Sequence, residues 1–424
     1  MSDIYPYAQL ADDPTSSVIV SWVDDRTDAD GSEQTLEFDD GSETSEGEEV
    51  PESGGSYKYE VEINGLDPNS DYSGTIDGEE SVGFETLPES LEDGAIDFVV
   101  VSDQHIDRDN AMPDSGMMEP LADEDPDLLI INADLTTDGY QVDEDNTDDW
   151  LRFWDEYLGI LQENKLVPIV MTVGNHEVGN MVWDGTGSVD PEAGYYQFWF
   201  SNIPDTDPQG ENYGEISVGD ALQILALDTH SAYADDVAEW MDDAYNPHAN
   251  LCLPIHHAPL MPGGYRTDED EDLSQLLREE WGPFFDDKHN IMPTFSGHIH
   301  LRSRSVPWTV TASEPSGDDY FEVGDRYIIE NPDEDDRIIE FGGGYRAGRD
   351  PEDDWFLDVT EEVLQFYSCT LERQSDPTLT VQELDEDGNL YSEHTFVQDE
   401  EANFAWTTVA TIGDATLGDV TFGG

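Results

Sequence analysis

The 424-residue chain is poor in positive charge. It has 15 lysines and arginines against 101 aspartates and glutamates, a formal net charge of −86, and its only lysines are Lys58, Lys165 and Lys288. Such a chain has no basic patch with which to grip nucleic-acid phosphates, so nucleic acid is not an expected partner. It also has no run of about 18 apolar residues, so no helix is expected to cross a membrane. Cys252 and Cys369 are its two cysteines, too few for a disulfide framework. Both lie in strand-like runs, which favours two buried thiols, with one long-range disulfide as the alternative. The opening Met1-Ser2-Asp3-Ile4 lacks a charged and apolar leader. The expectation is either a cytoplasmic protein of a salt-accumulating cell or a secreted protein whose leader is not in this sequence. The sequence gives no sign of oligomeric state.

What is present suits a folded, acidic protein. Hydrophobic residues make up 37% of the chain, with 16 Phe, 18 Tyr and 10 Trp, enough for a sizeable core. The length suits two or three domains. The acids are spread between apolar segments and not gathered in a tail. In dilute buffer a fold with this charge repels itself. At about 1 M salt the screening length falls to roughly 3 Å and the repulsion fades, so the composition points to a salt-loaded environment.

Residues 1–88 show an all-β pattern. Residues 18–22 are strand-like, Tyr57, Tyr59, Val61 and Ile63 alternate with polar neighbours, and Gly65-Leu66-Asp67-Pro68 makes a turn. A polar linker follows at 89–95. Continuous apolar runs then appear at 98–101, 128–131 and 167–173, and further strands at 222–227, 251–255 and 293–296. Trp150, Trp154, Tyr157, Leu158 and Leu161 recur at helical spacing, and 272–285 reads as one helix. Strands alternating with helices predict an α/β layered core. Trp355, Leu357 and Val359, with Leu364, Phe366 and Tyr367, are expected to close a second sheet. Residues 397–424 are strand-like and unplaced.

Five of these strands end in polar clusters: Asp103-Gln104-His105, Asn132-Ala133-Asp134, Gly174-Asn175-His176-Glu177, His256-His257-Ala258-Pro259 and Gly297-His298-Ile299-His300. Ligands of open α/β sheets collect at the carboxyl ends of strands. Imidazole with carboxylate and no thiolate suits Mn, Zn or Fe, and seven or eight donors suit two ions, the device used for in-line phosphoryl displacement. His230, His248, His289 and His394 stand outside these clusters and read as ordinary core or surface histidines, and acidic runs such as 143–149 as solvated surface.

In this order the motifs resemble the calcineurin-like metallophosphoesterase superfamily over about residues 96–396. Within it, they are similar to the purple acid phosphatase-like proteins, whose N-terminal fibronectin type III-like domain residues 1–88 resemble. The resemblance implies a four-layer α/β/β/α core preceded by an all-β sandwich, with 397–424 as an unassigned extension. It implies an enzyme that hydrolyses small phosphate esters, phosphomonoesters foremost, through a hydroxide bridging two divalent transition-metal ions. The alternatives are a phosphodiesterase acting on nucleotides or glycerophosphodiesters, or a degenerate adhesion protein. By position, Asp103, His105 and His300 would hold the first metal and Asp134 would bridge. Asn175, His298 and one of His256 or His257 would hold the second. His257 is favoured because the family's ligand stands two residues before a proline, here Pro259. His176 would stand beside the scissile phosphate, and Arg304 is close enough in sequence to reach the substrate. Two positions depart from the pattern. Ala133 replaces the glycine before the bridging aspartate, and Thr137 replaces the metal-bound tyrosine of the purple subgroup, which resembles the non-purple branches.

The charge leads to one test. On dialysis from molar to millimolar salt the protein should lose its circular dichroism signal, and mildly acidic pH should partly restore it. A spectrum unchanged across that range would refute the salt-adapted reading.

Overall fold

The computed structural model describes residues 4–39, 41–106, 116–162, 165–179, 190, 193–201, 212–262, 268–315, 319–324, 326–330, 338–343, 356–361, 363–399 and 405–413. Two sheets packed face to face form its centre. In the larger, the strands Ile96–Val101, Leu128–Ile131 and Pro168–Met171 run parallel. In the smaller, Leu222–Leu227, Leu251–His256, Thr294–Ser296 and Glu340–Gly342 do the same. Strand alternation explains the layering. Phe98, Val100 and Ile130 point between the sheets and meet Ile224, Leu253, Ile255 and Phe295. Val99, Val101, Leu129 and Ile131 point the other way and are covered by Trp150, Trp154, Leu158 and Leu161. The outer face of the smaller sheet, with Leu225, Leu227 and Cys252, is covered by Val237, Met241, Leu277 and Trp281. The result is the α/β/β/α order. Both cysteines are free thiols buried in this body.

The aromatic stripe is core packing, as its spacing implies. The helix Glu144–Arg152 passes into a π-helical stretch, Phe153–Tyr157, before Leu158–Leu161, and Trp150 stacks on Trp199 at 5.5 Å. The helix expected over 272–285 is two: Asp268–Glu280 and Gly282–Asp287, with Pro283 in the first turn of the second. A proline there has no N–H to continue the first helix and suits the start of a new one. Leu357–Glu361 forms an edge of the smaller sheet. Gln365–Arg373, expected beside it, pairs instead with Ile96–Val101 in the larger sheet. Trp355 lies outside the described residues.

The N-terminal residues form β-sheets with a core of their own, in which Trp22 stacks on Tyr59 at 5.4 Å and packs with Leu36, Tyr72 and Phe84. One of these sheets is continuous with the larger sheet of the α/β body. Ile4–Leu10 pairs in parallel with Pro168–Met171 and antiparallel with Ser17–Asp24. At the opposite edge, Pro377–Asp385, Leu390–Asp399 and Ala405–Gly413 extend the same sheet, which places part of the C-terminal extension. No helix among the described residues is long and apolar enough to cross a membrane.

Candidate metal centre

Three strand ends from the larger sheet and two from the smaller meet at one rim. Asp103 and His105 follow Ile96–Val101, and Asp134 follows Leu128–Ile131. Asn175 opens the short helix Asn175–Val178 after Pro168–Met171. His257 follows Leu251–His256, and His298 and His300 follow Thr294–Ser296. Asp103, His105, Asp134 and His300 form one group of donor atoms all within 4.8 Å of one another, and Asp134, His257 and His298 form another. Asp134 belongs to both. Within them His105 Nε2 is 3.2 Å from His300 Nε2, His300 Nε2 is 3.0 Å from Asp103 Oδ1, and His257 Nε2 is 3.0 Å from Asp134 Oδ2. Asn175 Oδ1 lies 3.2 Å from His257 Nε2 and 3.0 Å from His298 Nδ1, which adds a neutral oxygen to the second group.

The backbone here is bent out of the ordinary regions. Asp103, His105, Ala133, Asp134, His298 and His300 all have φ between 41° and 67°. Such residues cost about 1–3 kcal/mol each and persist where the surroundings over-determine them. The determinants are visible. Asp103 Oδ2 accepts from Ser102 Oγ at 2.5 Å and His298 N at 2.8 Å, which ties the two sheets together at the site. Asp134 Oδ1 accepts from His176 N at 3.1 Å. The other oxygens, Asp103 Oδ1 and Asp134 Oδ2, are buried without a hydrogen bond. Buried carboxylate oxygens are not left so cheaply, and both face imidazole nitrogens. This donor set fits a pair of divalent transition metals.

Electrostatics agree. Burial alone would raise the Asp103 carboxyl, but His300 and His257 outweigh it and hold it well below the usual range. Asp134 is likewise buried yet held low by His257 and His176. Burial would lower His257, but Asp134 and Asp103 push it up to about 9. His105 falls well below its ordinary value, chiefly through burial, which suits a neutral ligand.

His176 stands outside both donor groups. Its Nδ1–H donates to the Thr137 carbonyl, and Nε2 is 3.8 Å from Asp134 Oδ2 with the side chain 15% exposed, against complete burial for Asp134. Thr137 Oγ1 lies 3.3 Å from His105 Nδ1 and so buttresses the ring from behind. Tyr140 is directed elsewhere: its ring lies against Gly179, where a Cβ would come within 2.7 Å of it.

Two expected site residues are not brought to the cluster. His256, adjacent to His257 on an alternating strand, faces away. It packs on Trp281 and Phe285 at 6.0 and 6.2 Å, donates from Nδ1 to the Ala258 carbonyl at 2.9 Å, and is pushed by burial to about 4. Arg304 is only 3% exposed. Its guanidinium binds Glu383 at 2.8 Å and Asp358 at 2.6 Å, with Ser392 and His394 alongside, so its charge is taken up between the sheets and not at the rim. Arg302 shares the same Glu383. Arg346 and Arg349 lie outside the described residues.

Two residues at the site had no role in the sequence reading. Glu177, fully buried, accepts from Asp134 N, Leu135 N and Gly174 N at 2.9–3.0 Å. Burial, then the Asp134 charge, raises it to about 8. It clamps two of the ligand-bearing turns, and its signal was its place in the Gly174–Glu177 cluster. His230 follows Leu222–Leu227 as part of Asp228-Thr229-His230, a sixth strand end of the same kind, and its ring lies 5.4 Å from those of both His257 and His298.

A family model described as calcineurin-like phosphoesterase matches residues 80–302. The chain belongs to that family. It is a metal-dependent phosphoesterase. Among solved structures, a purple acid phosphatase isolated from yellow lupin (Lupinus luteus) seeds superposes with a TM-score of 0.68 at 14% identity, over 99% of this chain and 78% of that one. This likeness shows the fold. A type III pullulan hydrolase from Thermococcus kodakarensis overlaps 69% of this chain and 60% of that one at 10% identity, but its TM-score of 0.16 carries no argument. No curated protein matches the sequence.

Close packing around the centre of this phosphoesterase sets up a paired test. A Cβ at Gly297 would fall 1.7 Å from Ser102 Oγ and 2.5 Å from Asp103 Oδ2, so Gly297→Ala should displace Asp103 and abolish metal uptake. Ala133→Gly relieves a left-handed alanine and should raise stability by about 1 kcal/mol, read as a higher melting temperature at constant salt. A Gly297→Ala protein that still takes up two ions would disprove the packing argument.

Proposed function

We propose that this chain is a dinuclear phosphomonoesterase working on small phosphate esters at high salt with two divalent ions, Mn, Zn or Fe. The observation that carries this reading is the pair of donor groups sharing the Asp134 carboxylate. In it, Asp103, His105 and His300 would hold the first ion, Asp134 would serve both, and Asn175, His257 and His298 would hold the second. Residues 1–88 act as a fibronectin type III-like sandwich, 89–95 as linker, 96–396 as the catalytic core and 397–424 as a β-rich extension. The −86 charge supports the salt-adapted setting.

When bound, the ions would supply Lewis acidity to the phosphoryl oxygens and lower the pKa of a nearby water. The protein's residues do the rest. Asp134, pinned through Oδ1 by the His176 amide, presents its other oxygen to both groups. The water oxygen bonds to phosphorus as the ester P–O bond breaks, and the departing oxygen needs a proton. In this reading His176 gives it as the imidazolium: Nδ1–H stays tied to the Thr137 carbonyl, the second proton leaves from Nε2, and the proton released by the water restores it. This is general-acid assistance by a positioned imidazole.

The test is a substrate panel on metal-reconstituted protein at molar salt, comparing phosphomonoesters with phosphodiesters. Phosphomonoesters should turn over faster, with about two ions per chain; faster diester cleavage would replace the proposal. His176→Ala should keep both ions while turnover falls roughly 10²–10⁴-fold, and loss of an ion would make His176 a ligand instead.

Thr137 leads to a separate expectation. A threonine hydroxyl has no phenolate electrons to donate to ferric iron, so iron-loaded protein should lack a strong visible band, and divalent ions should support activity. An intense green-to-yellow absorption abolished by a Tyr→Phe change would mean that another tyrosine binds the metal.

A further inference from the structure

We infer that the Thr229–His230 pair is a positioning device for the second-metal half of the centre, an inference that rests on the dinuclear reading above. The rings of His230, His257 and His298 form a nearly equilateral triangle, with centroids 5.4, 5.4 and 5.1 Å apart. Two of its corners are donors beside Asp134 and Asn175. The third belongs to neither donor group, yet it is packed against both of the others and is itself only 2% exposed.

Hydrogen bonds fix that third ring. Asp228 Oδ1 accepts from the backbone N–H groups of His230 and Ser231, both at 2.8 Å, which closes a tight turn at the strand end. Thr229 Oγ1 accepts from Ala258 N at 3.2 Å, so the turn after Leu222–Leu227 is linked to the residue directly following His257. The same hydroxyl lies 2.8 Å from His230 Nδ1. This contact fixes the plane of the His230 ring against the Thr229 turn, whichever of the two atoms carries the hydrogen.

A metal-bound imidazole must be held in the orientation its ion requires. Removing such outer supports typically costs 10–100-fold in metal affinity or activity. His257 has one support in the Asn132 carbonyl, 2.8 Å from Nδ1. The His230 ring wedges between His257 and His298 and supports both at once, while Thr229 sets the wedge against Ala258.

The experiment titrates metal into apo protein at molar salt and measures the two binding steps separately, by calorimetry and by the visible spectrum of the Co(II)-loaded form. His230→Ala should weaken the second step by about 10–100-fold and alter its Co(II) spectrum, leaving the first step unchanged. Thr229→Val, which keeps the volume and removes the hydroxyl, should give a smaller loss in the same step. His230→Phe, which keeps a ring in the wedge, should recover part of the affinity. Melting temperature, measured in parallel without metal, separates this from general destabilisation. Unchanged second-step affinity in His230→Ala, or equal weakening of both steps, overturns the inference. Wild-type protein that takes up fewer than two ions overturns the dinuclear reading, and this inference with it.

Discussion

The face-to-face packing of two parallel-stranded sheets is the constraint on which the rest depends. Phe98, Val100 and Ile130 interdigitate with Ile224, Leu253 and Phe295, and this contact fixes the height of one sheet relative to the other. Strand ends from both sheets then arrive at the same rim. A slip of one residue would turn core side chains outward and carry donors away from each other. The hydrogen bond from His298 N to Asp103 spans the same junction, so apolar packing and polar closure specify one register.

At the rim the protein accepts local strain to gain convergence. Six residues carry left-handed backbone where glycine would be easier, and all but Ala133 turn a donor inward. Glu177 offsets part of this by gathering three backbone N–H groups that would otherwise be buried without partners. The site is thus a set of sharp turns held from behind.

The parallel strands were legible because runs buried on both faces read as continuous β-branched or aliphatic segments, and the donors because they follow those runs directly. Alternation also foretold that His256 and His257 face different surroundings, one against Trp281 and Phe285 and the other beside Asp134. Other features were not. Arg304 looked available because sequence proximity to His300 says nothing of direction, and its partner Glu383 lies 79 residues away. His230 was missed although Asp228-Thr229-His230 repeats the Asp-x-His pattern of Asp103-Gln104-His105 after a strand, because it matched none of the five motifs that carried the resemblance. The pairing of Gln365–Arg373 with Ile96–Val101 joins segments far apart in sequence, which no local periodicity encodes. The junction between Ile4–Leu10 and Pro168–Met171 was hidden for the same reason.

The Arg302–Glu383–Arg304 cluster has a meaning for a protein with so few cations. Ion pairs on the surface fade as salt rises, because mobile ions take over the partner's role. A carboxylate enclosed by two guanidiniums, all of them nearly inaccessible, excludes those mobile ions and keeps its attraction in brine. The chain therefore carries two populations of positive charge. Lys288, paired with a largely exposed Asp242, can be exchanged with little effect at high salt, whereas each buried arginine lays a planar fork against its carboxylates that a compact lysine ammonium does not reproduce. Under the salt-adapted reading proposed above, the scarcity of lysine and the retention of these arginines would be two outcomes of one rule: in strong electrolyte, a cation holds a fold together only where electrolyte cannot enter.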